Sequence, residues 1–552
     1  MHFFVKLGRQ RMGTAPLWRL FGFSPRSDST SSLVPEGQEE KAFLPIAHCT
    51  RIFRSRALTE IFALDVRSLA LFRVSLALVI LADLLTRSVD LSAHYTDVGL
   101  LPRSAAIAEY AQYGFLSLHL LGGTSITQSA LFIIAALFAV GLLLGYRTRL
   151  MTVVSWLLLV SLHNRNPMII DAGDILLRLL LFWSMFLPLG AAYSLDGVLT
   201  PSSIRRSPTR IVSLASVALI LQVCFVYWFT VALKHDPVWR TEGTGVYYAL
   251  NLDSFATPVG LWLREFSAVL PLLSFMTLAI EAFGPWLLFL PIAQGPLRFF
   301  TVCLFLGLHL GLALCLALGV FPFIVGAAWL ALLPTWFWHR VRIPHDFSQS
   351  RKFTLQHRLE TLLGAARYQR FAVYARPPVW YPTIIGVFFC AICLGYVFLW
   401  NVRTVNFAKY SAILPVESNW FGQTLRIDQM WGMFAPKPAT DDGWYVIPAR
   451  LRDGSEIDLN TNGDPVQWTK PVDVAATYHN QRWRKYLRNI WEREHAGHRL
   501  YFGQYLCRTW NAEHHNQTTL ETFQIFYMKE ETLPDGNIAP PEKVLLWSHR
   551  CS

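Results

Sequence analysis

The 552-residue chain is 53% hydrophobic and only 16% charged, with 20 Trp and 38 Phe. Soluble proteins carry about a quarter charged residues, so this composition excludes a soluble globular enzyme and implies a polytopic membrane protein. The formal net charge of +12 would suggest nucleic acid in a soluble chain, but it sits beside apolar windows, so it reads as a topology determinant and no nucleic-acid partner is expected.

In chain order, residues 1–60 form an N-terminal segment without the sustained apolar core of a cleavable signal peptide, and 27–40 (S-D-S-T-S-S-L-V-P-E-G-Q-E-E) reads as a flexible tail. Residues 61–400 carry apolar windows at about 68–86, 129–145, 150–163, 175–190, 211–233, 267–290, 299–319, 321–338 and 381–400. The break A-L-G-V-F-P at 317–322 reads as a tight hairpin. In a nine-span arrangement, Arg51, Arg54, Arg56, Arg67, Arg147, Arg149, Arg205, Arg206, Arg210 and the basic loop Arg340–Arg376 fall on one side. The positive-inside rule makes that side cytoplasmic and places residues 401–552 outside. The expected fold is therefore an all-α polytopic membrane bundle of about nine transmembrane helices with a small extracytoplasmic α+β C-terminal domain.

That tail reads as strands and helices. Residues 443–459 form alternating strands around an Arg-Asp-Gly turn, 521–530 is another strand, and 481–494 (Q-R-W-R-K-Y-L-R-N-I-W-E-R-E) is a basic amphipathic helix. Trp431, Met433 and Phe434 lead into it, as packing residues or as the lining of a lipid-like cavity. Cys507 and Cys551 are expected to pair, whereas the C-x-x-C of Cys390 and Cys393 reads as apolar packing. No P-loop, G-x-G-x-x-G, H-E-x-x-H or nucleophile elbow is present, and no metal is expected.

Ionisable residues inside apolar windows are expensive and mark partners or cavities. Asp83 and Arg87 read as a pair at the end of the first span, Asp171 as a helix cap, and Asp174 with Arg178 as an intrahelical pair. Glu281, mid-span, needs a cation, a proton or a strong donor; His309 reads as a core histidine bonded to a neighbour. Most informative is V-A-L-K-H-D-P-V-W-R-T-E-G at 231–243, where Asp236–Pro237 stops the span just after Lys234. A snorkelling lysine explains that position, and so does a base: beside the aromatic wall of Trp239, Tyr247 and Tyr248, a lysine loses its proton more easily, with His235 and Asp236 to tune or relay it.

The segments 70–87, 94–103, N-R-N-P-M-I-I-D-A-G-D (164–174), A-A-Y-S-L-D-G (191–197) and A-L-K-H-D-P-V-W-R-T-E-G (232–243) together resemble the HTTM (horizontally transferred transmembrane) domain, the family of vitamin K-dependent gamma-glutamyl carboxylase. Q-M-W-G-M-F-A-P-K-P (429–438) and R-W-R-K-Y-L-R-N-I-W (482–491) are similar to the tail of its bacterial branch. The resemblance implies a bacterial inner-membrane enzyme in which Lys234, ahead of Asp236 and Trp239, deprotonates reduced vitamin K or menaquinol. The oxygenated quinol then removes a γ-proton from glutamate before carbon dioxide adds. Asn164, Asp171, Asp174, Trp239, Glu281 and His309 are the expected binding residues, with membrane lipid and an exported protein substrate as partners. One departure is clear: the family's Asn-Asn-His segment is replaced here by Asp171–Ala172–Gly173–Asp174. A non-catalytic lipid- or quinone-binding protein, or a proton-coupled transporter using Glu281, His309 and Asp174, are the alternatives.

Overall fold

The apolar windows fold as helices because no water competes for their backbone groups in a membrane, and polar residues set their ends. A computed structural model describes residues 56–114, 116–199, 209–344, 384–534 and 537–551, with a few more between 354 and 364. The expected tail at 27–40, Arg51, Arg54, Arg205, Arg206 and most of the basic loop up to Arg376 lie outside the described residues.

The first helix, α1 (Val66–Val89), begins at Asp65, whose side chain accepts the Arg67 amide. It is followed by α2 (Ser125–Leu144), α3 (Thr148–Arg165), α4 (Ala172–Ser184), α5 (Leu214–Leu233), α6 (Leu270–Phe283), α7 (Gln294–Cys315), α8 (Phe321–Leu330) and α9 (Ile384–Val405). Among the described residues six helices are long and apolar enough to cross a membrane: α1, α2, α5, α6 with its 3₁₀ extension to Phe289, α7 and α9. Every expected window thus holds a helix, but α3, α4 and α8 do not meet that standard. The fourth and eighth have only 13 and 10 residues, and α3 carries Arg149, His163, Asn164 and Arg165. On α2 the large apolar side chains Ile126, Ile133 and Leu137 face outward, as a lipid-facing helix requires. The hairpin expected near 317–322 is present, with Gly319 at φ +59° between α7 and α8. A Cβ at Gly319 would collide with the Gln481 side chain, so the turn also receives the tail helix.

The C-terminal part holds β1 (Asp441–Val446), β2 (Pro448–Leu451), β3 (Glu456–Asp458), β4 (Leu520–Glu531) and β5 (Glu542–Arg550), with helices α10 (Gln481–Trp491) and α11 (His498–Glu513) between β3 and β4. The expected hairpin is β2–β3, with Pro448 opposite Asp458 and Gly454 at φ +88° in its turn. The twelve-residue β4 is the spine of the sheet. Along one edge it pairs with β1 (Val446 opposite Phe526) and then β2 (Ala449 opposite Phe523), and along the other with β5. The sequence reading had no strand at 542–550. Cys507 and Cys551 are disulfide-bonded, closing a separation of 44 residues between α11 and the end of β5. Cys551→Ser should change mobility on a non-reducing gel and lower the melting temperature, because the chain-entropy term for a loop of this length is about 4 kcal/mol.

Residues 52–552 form one compact unit, and charge as well as apolar packing joins tail to bundle. Arg482, near the start of α10, donates to Asp83 (2.8 Å) and Asp174 (2.9 Å) and to the carbonyl of Ile169 (2.9 Å). Arg87 bonds the same two carboxylates, Asp83 at 2.7 Å and Asp174 at 2.5 Å, and the Tyr95 hydroxyl at 2.8 Å. Asp83, Arg87, Asp174 and Arg482 are all buried. The expected Asp83–Arg87 pair is therefore one edge of a four-residue ionic cluster spanning α1, α4 and α10. The expected Asp174–Arg178 pair does not form. Asp174 is drawn to the two arginines, and Arg178 instead bonds the Arg426 carbonyl (2.9 Å) and the Asp428 carboxylate (2.9 Å) in the segment before the sheet.

Candidate functional site

Lys234 is the residue on which α5 ends. Its amide donates to Thr230 (3.0 Å) and its carbonyl accepts Arg240 Nε (3.0 Å), so the backbone on both sides is fixed. Asp236 then caps the short turn Pro237–Arg240 by accepting the Val238 amide (3.0 Å). This sharp reversal turns the Lys234 side chain inward rather than toward solvent, and the residue is only 3% exposed. Snorkelling is thus not what this lysine does. Its Nζ donates to Glu281 Oε2 at 2.7 Å and stands 4.3 Å from the centre of the Trp239 ring. The cation that Glu281 requires on α6 is therefore Lys234. Trp239 is held in turn by its indole N–H, which donates to the Phe434 carbonyl (2.9 Å).

The pair opens on a cavity of about 740 Å³, a size typical of small-ligand sites. Its walls are mainly apolar side chains of α5, α6 and α7 and of the segment at 246–263, closed on one side by Met433 and Phe434. Gly307 and Gly311, one turn apart on α7, line it without side chains, and a Cβ at either would meet nothing within 4 Å, which is one reason the space exists. Met276 both lines the cavity and is 48% exposed, so the cavity reaches the apolar surface of the bundle beside α6.

His309 lines the same cavity. Its Nε2 shares a 2.9 Å hydrogen bond with the Tyr227 hydroxyl, which accepts the Trp329 indole N–H at 2.7 Å. It is thus a bonded core histidine that also faces a cavity. At the other end the lining becomes cationic: Lys437, Arg484, Lys485 and Arg488 approach from the tail. Arg484 is committed to the carbonyls of Ser254 (3.0 Å) and Ala317 (2.5 Å) and lies over the Phe255 ring. Lys437 and Arg488 are exposed. Burial, and then the neighbouring Arg488, push the Lys485 ammonium below its ordinary range.

The chain matches no family model, no curated protein and no solved structure.

Of the residues singled out in the sequence, Lys234, Trp239, Glu281, His309 and Asp171 line the cavity. Asp171 also caps α4, accepting the Gly173 amide at 2.8 Å and the Gln481 side-chain amide at 2.5 Å. His235 is exposed and Asp236 acts as a cap, and neither is among the lining residues. Asn164 is buried elsewhere, donating to the Leu116 carbonyl (2.8 Å). Asp174 belongs to the ionic cluster. Lys437, Lys485 and Arg488 were not foreseen as site residues. Lys485 and Arg488 were signalled only by the basic face of the predicted helix at 481–494, which says nothing about what that face meets, and Lys437 only by following the aromatic segment at Trp431–Phe434.

Proposed function

We propose that the cavity is a quinol site in a membrane enzyme with carboxylase-like chemistry, and that Lys234 and Glu281 together are its base. The observation that carries this reading is a buried lysine–carboxylate pair, walled by an indole, opening on an apolar cavity of about 740 Å³. The residues fit such a group: an isoprenoid-bearing ring would find apolar walls and an entrance beside Met276, and its polar edge would find Lys234. When bound, a reduced quinone would supply an acidic hydroxyl and, after reaction with oxygen, a base strong enough to remove a carbon-bound proton. Lys234 must first release a proton to accept one. Glu281, at 2.7 Å, takes it, because in low dielectric an ion pair and its neutral form draw close in energy. Lys234 Nζ then receives the hydroxyl proton, while Trp239 and Phe434 keep water from the pair.

In this proposal the nine windows cross a bacterial inner membrane with the N-terminus inside, and the cationic end of the cavity faces outward. Lys437, Lys485 and Arg488 then suit an acidic acceptor such as a glutamate of an exported protein. A second reading, a non-catalytic quinone or lipid binder, is favoured by the same ion pair, which already partners Lys234 at 2.7 Å without any substrate. The transporter alternative gains nothing, because Asp174 is fixed by two arginines in a separate cluster.

The test is to incubate the purified protein with reduced menaquinone and oxygen and to follow quinone epoxide. Turnover lost in Lys234→Ala supports the enzyme reading. Turnover that persists in Lys234→Ala removes the base assignment, and no turnover in the native protein favours the binder.

A further inference from the structure

A second cluster of chemistry-bearing side chains lies away from the cavity, where the tail meets the loop between α1 and α2. Glu109, on the helix Arg103–Tyr110, faces His498 at the start of α11: Nε2 of His498 lies 2.9 Å from one carboxylate oxygen and 3.1 Å from the other. His495, three residues earlier in a 3₁₀ turn, brings its ring to 6.0 Å from that of His498. One ligand atom from each of Glu109, His495 and His498 lies within 4.8 Å of the other two. A Glu–His pair alone would account for His498 but gives His495 no role, and its ring makes no hydrogen bond among the described residues.

Two imidazole nitrogens and one carboxylate oxygen are a donor set for a borderline divalent ion of the zinc class, for which bonds of about 2.0–2.2 Å in tetrahedral array put ligand atoms a little over 3 Å apart. The other group of this kind among the described residues, Asp83, His163 and Asp174, is a poor candidate, since Arg87 and Arg482 already occupy its carboxylates. From the Glu109–His495–His498 geometry we propose a zinc-class metal site with water as the fourth ligand. It joins the α1–α2 loop to the tail, so the ion is a staple between two parts of the chain that are almost 400 residues apart, the Glu109–His498 separation being 389. None of its three residues lines the cavity, and it requires no assumption about the quinol chemistry.

The experiment uses the full-length protein without a polyhistidine tag, in detergent. It is equilibrated with zinc chloride, dialysed, and its metal content measured by mass spectrometry, alongside thermal melting with zinc, magnesium and calcium. The site predicts one retained zinc per chain and a melting temperature raised by zinc but not by magnesium or calcium. His495→Ala and Glu109→Gln should each weaken zinc binding about 100-fold or more and abolish the melting shift. Both positions are partly exposed, so the variants should keep the metal-free melting temperature. No retained zinc in the native protein, or equal retention and an equal melting shift in both variants, would overturn the proposal.

Discussion

Replacing Arg482 with methionine should destabilise the folded chain by about 3–5 kcal/mol, the cost of breaking a buried ion pair from one side. Asp83 and Asp174 lose a shared partner at 2.8 and 2.9 Å, and Arg87 alone must then neutralise both. The loss should be read as a lower melting temperature in detergent and as faster proteolysis of the tail, since Arg482 is the tail's member of the cluster. Adding Asp174→Asn to the same chain should recover part of it by removing one orphaned charge, although the Asp174 carboxylate also accepts the Asp171 amide at 2.9 Å. By contrast Arg488→Met, on the exposed face of the same helix, should shift stability by no more than about 0.5 kcal/mol. Equal effects at the two arginines would contradict the junction described above.

Lys234→Ala should lower quinol turnover by about 10²–10⁴-fold, the usual worth of a positioned proton acceptor. It should also destabilise the protein, because Glu281 is left buried without its cation. Lys234→Met combined with Glu281→Leu separates the two effects. The double variant should regain much of the stability lost in Lys234→Met while remaining inactive. If Glu281→Gln kept full turnover, the carboxylate would not be the group that frees the lysine for catalysis.

The sequence revealed what is local and missed what is distant. Every apolar window became a helix, and the Asp171 cap, the Asp83–Arg87 pair four residues apart and the Gly454 turn follow from spacing and turn chemistry. Arg178 was assigned the neighbour its helix offers, whereas its carboxylate partner Asp428 lies 250 residues on. Lys234 and Glu281 were each recognised as costly inside a span, but nothing in a single sequence says that residues 47 apart will meet. The windows at 175–190 and 321–338 hold helices of only 13 and 10 residues, because their apolar runs continue past the helical backbone. The part of the cationic end that α10 supplies was legible only as an amphipathic helix, since the space it faces is made by segments distant from it in sequence.

The central claim, that a quinone sits in the cavity beside Lys234, is tested most directly by photo-crosslinking. Purified protein would be irradiated with a photoreactive menaquinone and the adducts mapped by mass spectrometry. The account predicts adducts on cavity walls such as Met276, Leu312 and Phe434, suppressed by unlabelled menaquinone. Adducts confined to outward residues such as Ile126, Ile133 and Leu137, or unaffected by competitor, would contradict it.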